Sequence, residues 1–279
     1  MQIGKTLTLK AYRTTDNGCY LADNEGNEVL LPNVYVQDHL KLGDDISVFV
    51  YLDSQERPIA TTINPKIKAD SFAYLEVKDV NNAGAFLDMG LVKQLLVPYS
   101  EQPVKMQPGE WYVVFCLVDE ETNRLIGSAM IEDFLFTEEL DVEVGDMVDV
   151  LFYKRSDLGM NAIVNDQFQG LVFESDIHQH IQVGDQLKAY VKNVRTDGKI
   201  DLSLQPQGYL KMIDQSSQSV LDMLHKNNGH FKYTDKSDPE QIRAVFGMSK
   251  KAFKKALGNL YKQKIIRLEK TGTWLVKKS

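Results

Sequence analysis

Lysine stands at positions 250, 251, 254 and 255, an i, i+1, i+4, i+5 spacing, and again at Lys262 two turns on. On a helix this spacing gathers the ammonium groups on one side, where they can meet phosphate oxygens as point charges. The stretch lacks the Arg, Asn and Gln set that reads base edges in pairs, so any nucleic acid it holds is held without strong sequence preference. Arg267 and Lys270 follow at a turn, placed to reach a neighbouring groove or strand. Lys192, Arg195 and Lys199 form a second basic group. A lysine-coated face kept for solubility is the plainer alternative for both groups. Catalytic signals are sparse: there is no Gly-x-x-x-x-Gly-Lys loop, no His-Glu-x-x-His and no clustered cysteine. His178 and His180 near Asp176 lack a clear third ligand and read better as ordinary surface residues than as a metal site. Cys19 and Cys116 fall in separate strand-like runs and read as buried free thiols. No cofactor and no metal is implied.

The lysines need a helix to line them up, and the surrounding residues specify one. Ala252, Phe253, Ala256, Leu257, Leu260 and Tyr261 form its apolar face, and Ser249 can cap its start. Before it, Asp238-Pro239-Glu240-Gln241 is a helix start, with an N-cap carboxylate and proline at the first helical position, and that helix stops at Gly247. Val220, Leu221 and Leu224 mark an earlier helix ending before Asn227-Asn228-Gly229. Ile265 to Leu268 and Thr273 to Val276 flank Glu269-Lys270-Thr271-Gly272 as a hairpin. Helix, helix, three-residue turn, helix and hairpin describe a winged helix over 207–279.

The rest of the chain has another character. Residues 1–206 hold 17 Lys+Arg against 33 Asp+Glu, a net of −16, whereas 207–279 hold 15 against 6, a net of +9. An asymmetry of this kind points to a polyanion on the basic side. The acidic region repeats a single template three times. Gly18, Gly84 and Gly159 are each preceded fourteen positions earlier by Gly4, Asp70 and Gly145. Fourteen positions later a short apolar run ends at Pro32, Pro98 and Phe173, and 25 later stand Gly43-Asp44, Gly109-Glu110 and Gly184-Asp185. Five short strands per copy, separated by Gly, Asn and Asp turns, predict a small closed barrel of the OB type. The fold expected is multidomain and mainly β: three tandem five-stranded OB-fold barrels at 1–66 (a divergent copy), 67–139 and 140–206, then the winged-helix α+β domain.

Two copies carry a recognisable signature. Repeat two reads Gly84-Ala85-Phe86-Leu87 and later Leu95-Leu96-Val97-Pro98-Tyr99-Ser100-Glu101, and repeat three reads Gly170-Leu171-Val172-Phe173-Glu174-Ser175 and Ile200-Asp201-Leu202-Ser203. These runs resemble the RNA-binding OB repeat of ribosomal protein S-one. The resemblance implies RNA contact by an aromatic two residues after the glycine, here Tyr20 and Phe86, with Asn161 in copy three. It implies contact also at that family's histidine position, here Pro32, Pro98 and Phe173, and by a late Asp and Arg. Asp53 with Arg57 and Asp119 with Arg124 match that late pair, and Lys199 stands opposite the arginine in repeat three. The aromatic before the glycine is replaced by Asn17, Ala83 and Leu158, so each barrel keeps only some of the site.

The whole domain string resembles the bacterial conserved virulence factor B family. That resemblance implies a non-catalytic, RNA-binding regulator that acts after transcription on virulence or stress genes, with single-stranded RNA as partner. No apolar run approaches a membrane span and no secretory segment opens the chain, so a cytoplasmic location is expected. Two alternatives stay open: an acidic protein-interaction scaffold on a ribosome or polymerase surface, and a winged-helix regulator on duplex DNA.

Overall fold

The computed structural model describes residues 1–205, 215–269 and 271–276. The first five strands, β1 (Thr6–Thr15), β2 (Gly18–Ala22), β3 (Glu28–Pro32), β4 (Asp45–Leu52) and β5 (Pro58–Thr61), close in the order β1-β2-β3-β5-β4. The second barrel repeats this with β6 (Ser71–Asn81), β7 (Gly84–Leu87), β8 (Leu95–Pro98), β9 (Trp111–Val118) and β10 (Leu125–Ser128). The third uses β11 (Met147–Ser156), β12 (Gly159–Val164), β13 (Phe168–Phe173), β14 (Gln186–Val194) and β15 (Ile200–Ser203). A short 3-10 turn follows the third strand of each barrel, at Asn33–Tyr35, Tyr99–Glu101 and Glu174–Asp176.

The fourteen-residue spacing seen in the sequence is the register of a hairpin. Gly18 pairs with Pro32, Gly84 with Pro98 and Gly159 with Phe173. Each glycine has φ between 143° and 148°, and a Cβ there would run into the backbone of the facing strand. Only glycine fits so close an approach at such an angle. A further repeated device is a β-bulge in the first strand of every barrel, at Tyr12, Lys78 and Tyr153. The bulge shifts the register by one, which re-aims the residues after it.

Alternation along the strands fills each barrel: Leu21, Leu31 and Val50 in the first, Leu75, Leu87 and Val97 in the second, Phe152, Val172 and Leu202 in the third. Some outward positions are covered as well. Phe49 and Tyr51, on the outer side of β4, join the apolar cluster of the second barrel. Phe72, Val113, Ile131, Leu151 and Ile163 form the seam between barrels two and three, with Phe115 stacked on Phe134 at 4.3 Å. Burial of such side chains stabilises by about 1.5–3 kcal/mol each, so Met1–Leu204 forms one compact unit.

The second unit is the winged helix. It comprises α1 (Gln215–Lys226), β16 (His230–Phe231), α2 (Pro239–Phe246), α3 (Lys250–Lys262), β17 (Ile266–Glu269) and β18 (Gly272–Leu275), with sheet order β16-β18-β17. The caps read from the sequence are present. Asp238 accepts from the Glu240 and Gln241 N–H groups, Gly247 closes α2 at φ 66°, and Ser249 accepts from Ala252 N–H at 3.2 Å. Val220, Leu224, Ile242, Phe253, Leu257 and Leu260 make the core. Tyr261, placed on the apolar face of α3 by its sequence, is instead 56% exposed, because it lies about 100° round the helix from Leu260. The two-residue strand β16 adds a third strand to the expected hairpin.

Candidate nucleic-acid interface

The bulge in each first strand brings corresponding residues into one row across the outside of each barrel. In the second barrel the row runs Asp79, Phe86, Leu96, Ile126, Leu117. In the first it runs Arg13, Tyr20, Leu30, Ile59, Tyr51, and the last two are drawn into the contact with barrel two. In the third it runs Lys154, Asn161, Leu171, Asp201, Asn193. After its charged first member the row is thus aromatic and aliphatic in two barrels, and it is polar at most positions in the third.

The predicted rings sit differently within these rows. Phe86 is half-buried, and no ring or cation stacks on it among the described residues. Tyr20 is also half-buried, but the Arg13 guanidinium lies 3.7 Å from its ring centroid, held there by a 2.9 Å bond to Glu28. Phe173 is half-buried beneath Arg195 at 5.6 Å. Tyr99 is a ring that the sequence did not single out. It is 41% exposed, anchored through its hydroxyl to the Asn81 carbonyl at 2.8 Å, with Lys105 5.5 Å from its ring. The available signal was its place next to Pro98, which holds the ribosomal family's histidine position.

The barrel cations are largely engaged. Arg57 pairs with Asp53 at 2.8 Å. Burial opposes the charge on Asp53, but hydrogen bonds from the Arg57 backbone and side chain prevail and hold its carboxyl below the usual range. The Arg124 guanidinium pairs with Glu56 of the first barrel, and Asp119 accepts from the Thr122 N–H and hydroxyl. The basic group of repeat three is likewise mostly neutralised, with Lys192 on Asp176 at 2.7 Å and Arg195 on Asp201 at 2.6 Å. Lys199 is half-buried. Lys154 is exposed and only 3.9 Å from Glu132.

On α3 the lysines gather on one helix. Lys251, Lys254, Lys255 and Lys262 are exposed and Lys250 is half-buried. The first turn holds no acidic residue. Cations at a helix N-terminus face the positive end of the macrodipole, an arrangement that costs about 0.3–1 kcal/mol apiece and favours an anion. Arg267 is exposed on β17, 3.4 Å from Glu269. Lys270 lies outside the described residues. Among the described residues no cluster of His, Cys, Asp and Glu can hold a metal ion, and no helix is long and apolar enough to cross a membrane. Both cysteines are buried and free.

Comparison with known proteins agrees with this architecture. Residues 218–275 match the model of the CvfB-like winged helix domain, and residues 3–63 match that of the S1 domain. The S1 match thus falls on the barrel whose sequence reads as divergent. Bacillus subtilis (strain 168) protein YitL is 33% identical over 270 residues, spanning 94% of this chain and 90% of that protein. Conserved virulence factor B of Staphylococcus aureus (strain USA300) is 29% identical over 248 residues, 86% of this chain and 82% of that protein. A crystal structure of a multidomain protein with nucleic acid binding domains from Streptococcus pneumoniae aligns over 98% of both chains at 24% identity and a TM-score of 0.45. With a first barrel that matches the S1 domain, a matching winged helix and relatives that span most of its length, the chain belongs to the conserved virulence factor B family.

Proposed function

We propose that this chain binds single-stranded RNA and regulates gene expression after transcription, without catalysing a reaction. The observation that carries the reading is α3, whose first two turns present four lysines and no carboxylate. Phosphates bound there release counterions and gain from the helix dipole. The half-buried ring of Phe86 on the outer side of β7 supplies a stacking surface, worth roughly 1–3 kcal/mol for one base. One or two such surfaces per barrel give weak individual binding, and their tandem linkage raises the effective concentration of the rest. The Staphylococcus aureus relative is named a conserved virulence factor, which supports a role connected with virulence. The net charge of −16 over residues 1–206 favours phosphate contact at the winged helix over the barrels.

The test is fluorescence anisotropy of the full chain with a labelled single-stranded RNA across a salt series. Each lost phosphate contact reduces the slope of log K against log salt by about 0.7 for a single strand. Substituting alanine at Lys254, Lys255 and Arg267 together therefore flattens the slope by about 2 and weakens binding more than any single aromatic change. An unchanged slope and affinity would remove the winged helix from the mechanism. Preference for duplex DNA in competition would favour the transcription-factor reading.

One observation favours the scaffold reading as a second. Between barrels two and three a cavity of about 500 Å³ is lined by Trp111, Val113, Ile131 and Tyr153, with Glu132, Asp133 and one cation, Lys154, beside them. An apolar segment flanked by basic residues suits it. A protein partner retained after nuclease treatment supports that role.

A further inference from the structure

One row across the C-terminal sheet reads His230, Trp274, Arg267. The next row, Phe231, Thr273 and Leu268, is buried or packed in the core, so strand alternation turns the first row away from the helices. His230 stacks on Trp274 with ring centroids 3.6 Å apart and planes 26° apart. On the other side the Arg267 guanidinium stands 5.4 Å from the Trp274 centroid, farther than the ~3.5–4 Å of atoms in full contact. The Trp274 Nε1 and His230 Nε2 atoms are buried and have no hydrogen-bond partner. Trp274 and Arg267 also line a cavity of about 800 Å³, together with His225 and Asn228 at the end of α1.

We propose that this row is a subsite for one unpaired RNA base. The base stacks on the face of Trp274 that His230 leaves open, and Arg267 turns from its exposed pair with Glu269 to the flanking phosphate. A bare phosphate uses only Arg267. A base also supplies a π face for Trp274 and polar edges for His225 and Asn228. Exposed ion pairs are weak, so the exchange of Glu269 for phosphate is readily made. The subsite rests on the RNA-binding reading above and extends it from phosphate contact to base contact within the winged helix.

The chain has two tryptophans, so Trp111→Phe leaves Trp274 as its only indole. This variant of the full chain is titrated with hexa-adenylate RNA, following indole emission and, in parallel, the anisotropy of the labelled oligonucleotide. The expected result is quenching with the same midpoint as the anisotropy change. Trp274→Ala, made in the wild-type chain, weakens binding by roughly 5- to 100-fold, whereas Trp274→Phe keeps the stacking face and stays within about 3-fold. Thermal melts show that each variant is folded. Binding seen by anisotropy with unaltered Trp274 emission overturns the subsite and leaves the RNA reading standing. Absence of binding by anisotropy overturns the RNA reading and the subsite with it.

Discussion

Replacing Gly84 by alanine tests the link between the repeat spacing and the stacking surface. In the second barrel Gly84 pairs with Pro98 at φ 148°, and an added Cβ meets the Val97 carbonyl and lies 2.9 Å from Pro98 Cα. Both obstacles are backbone, so relief requires the β7–β8 pairing itself to open. A left-sided φ costs a side chain about 1–2 kcal/mol and overpacking about 1–3 kcal/mol, giving a loss of about 3 kcal/mol. Gly109 is the internal control: its φ is 82°, but a Cβ there meets nothing within 4 Å, so only the dihedral cost of about 1–2 kcal/mol applies. In a Trp274→Phe background Trp111 on β9 reports unfolding of the second barrel, so urea titration by its fluorescence gives both values. Because Phe86 lies two residues from Gly84, RNA affinity falls in parallel for Gly84→Ala. Equal destabilisation by the two substitutions would refute the close-approach argument.

Four further outcomes follow from the geometry. Phe86→Ala lowers RNA affinity by about 5- to 10-fold, whereas Tyr20→Ala lowers it by less than about 3-fold because Arg13 already covers that ring; anisotropy compares them. The Cys116 thiol is pushed up to about 12 by burial and Cys19 is raised by burial also, so neither reacts with a disulfide reagent at about pH 8 until denaturant is added, when both do. The Lys66 ammonium, at 2.6 Å, and the Gly90 N–H hold the Asp88 carboxyl below its usual range. Its contribution is therefore full above the ordinary carboxylate pKa near about 4 and is lost as pH falls through the lowered value. Asp88→Asn accordingly costs about 1 kcal/mol at about pH 7 and progressively less as the pH falls through that lowered value, read by urea titration at each pH. Glu56→Gln removes the partner of Arg124 and loosens the contact between the first two barrels, which faster amide exchange at Ala69 and Asp70 reports.

Much of the fold was legible because its constraints are local. A fourteen-residue interval between a glycine and the end of an apolar run is the length of a hairpin, and the same obstacle at Gly18, Gly84 and Gly159 demands glycine each time. The caps at Asp238, Gly247 and Ser249 act within three or four residues, so they too are written in short motifs. What the sequence hid depends on distant partners. Alternation marks Phe49 and Tyr51 as outward-facing on β4, but nothing local says that the next barrel covers them. Arg124 finds Glu56 rather than Asp119, and Arg13 lies over Tyr20, because the folded surface brings them together across strands. The grouping of the α3 lysines was readable in advance, since helical period alone fixes it. The His230–Trp274–Arg267 row needed the two-residue strand β16, which is too short to show any period.

The central claim is tested most directly by photocrosslinking single-stranded RNA to the purified full chain and mapping the modified peptides. The account predicts adducts on peptides carrying α3, on the β17–β18 hairpin with Trp274, and on β7 at Phe86. Adducts confined to the acidic faces of the second barrel, or none under conditions where a control RNA-binding protein crosslinks, would contradict it.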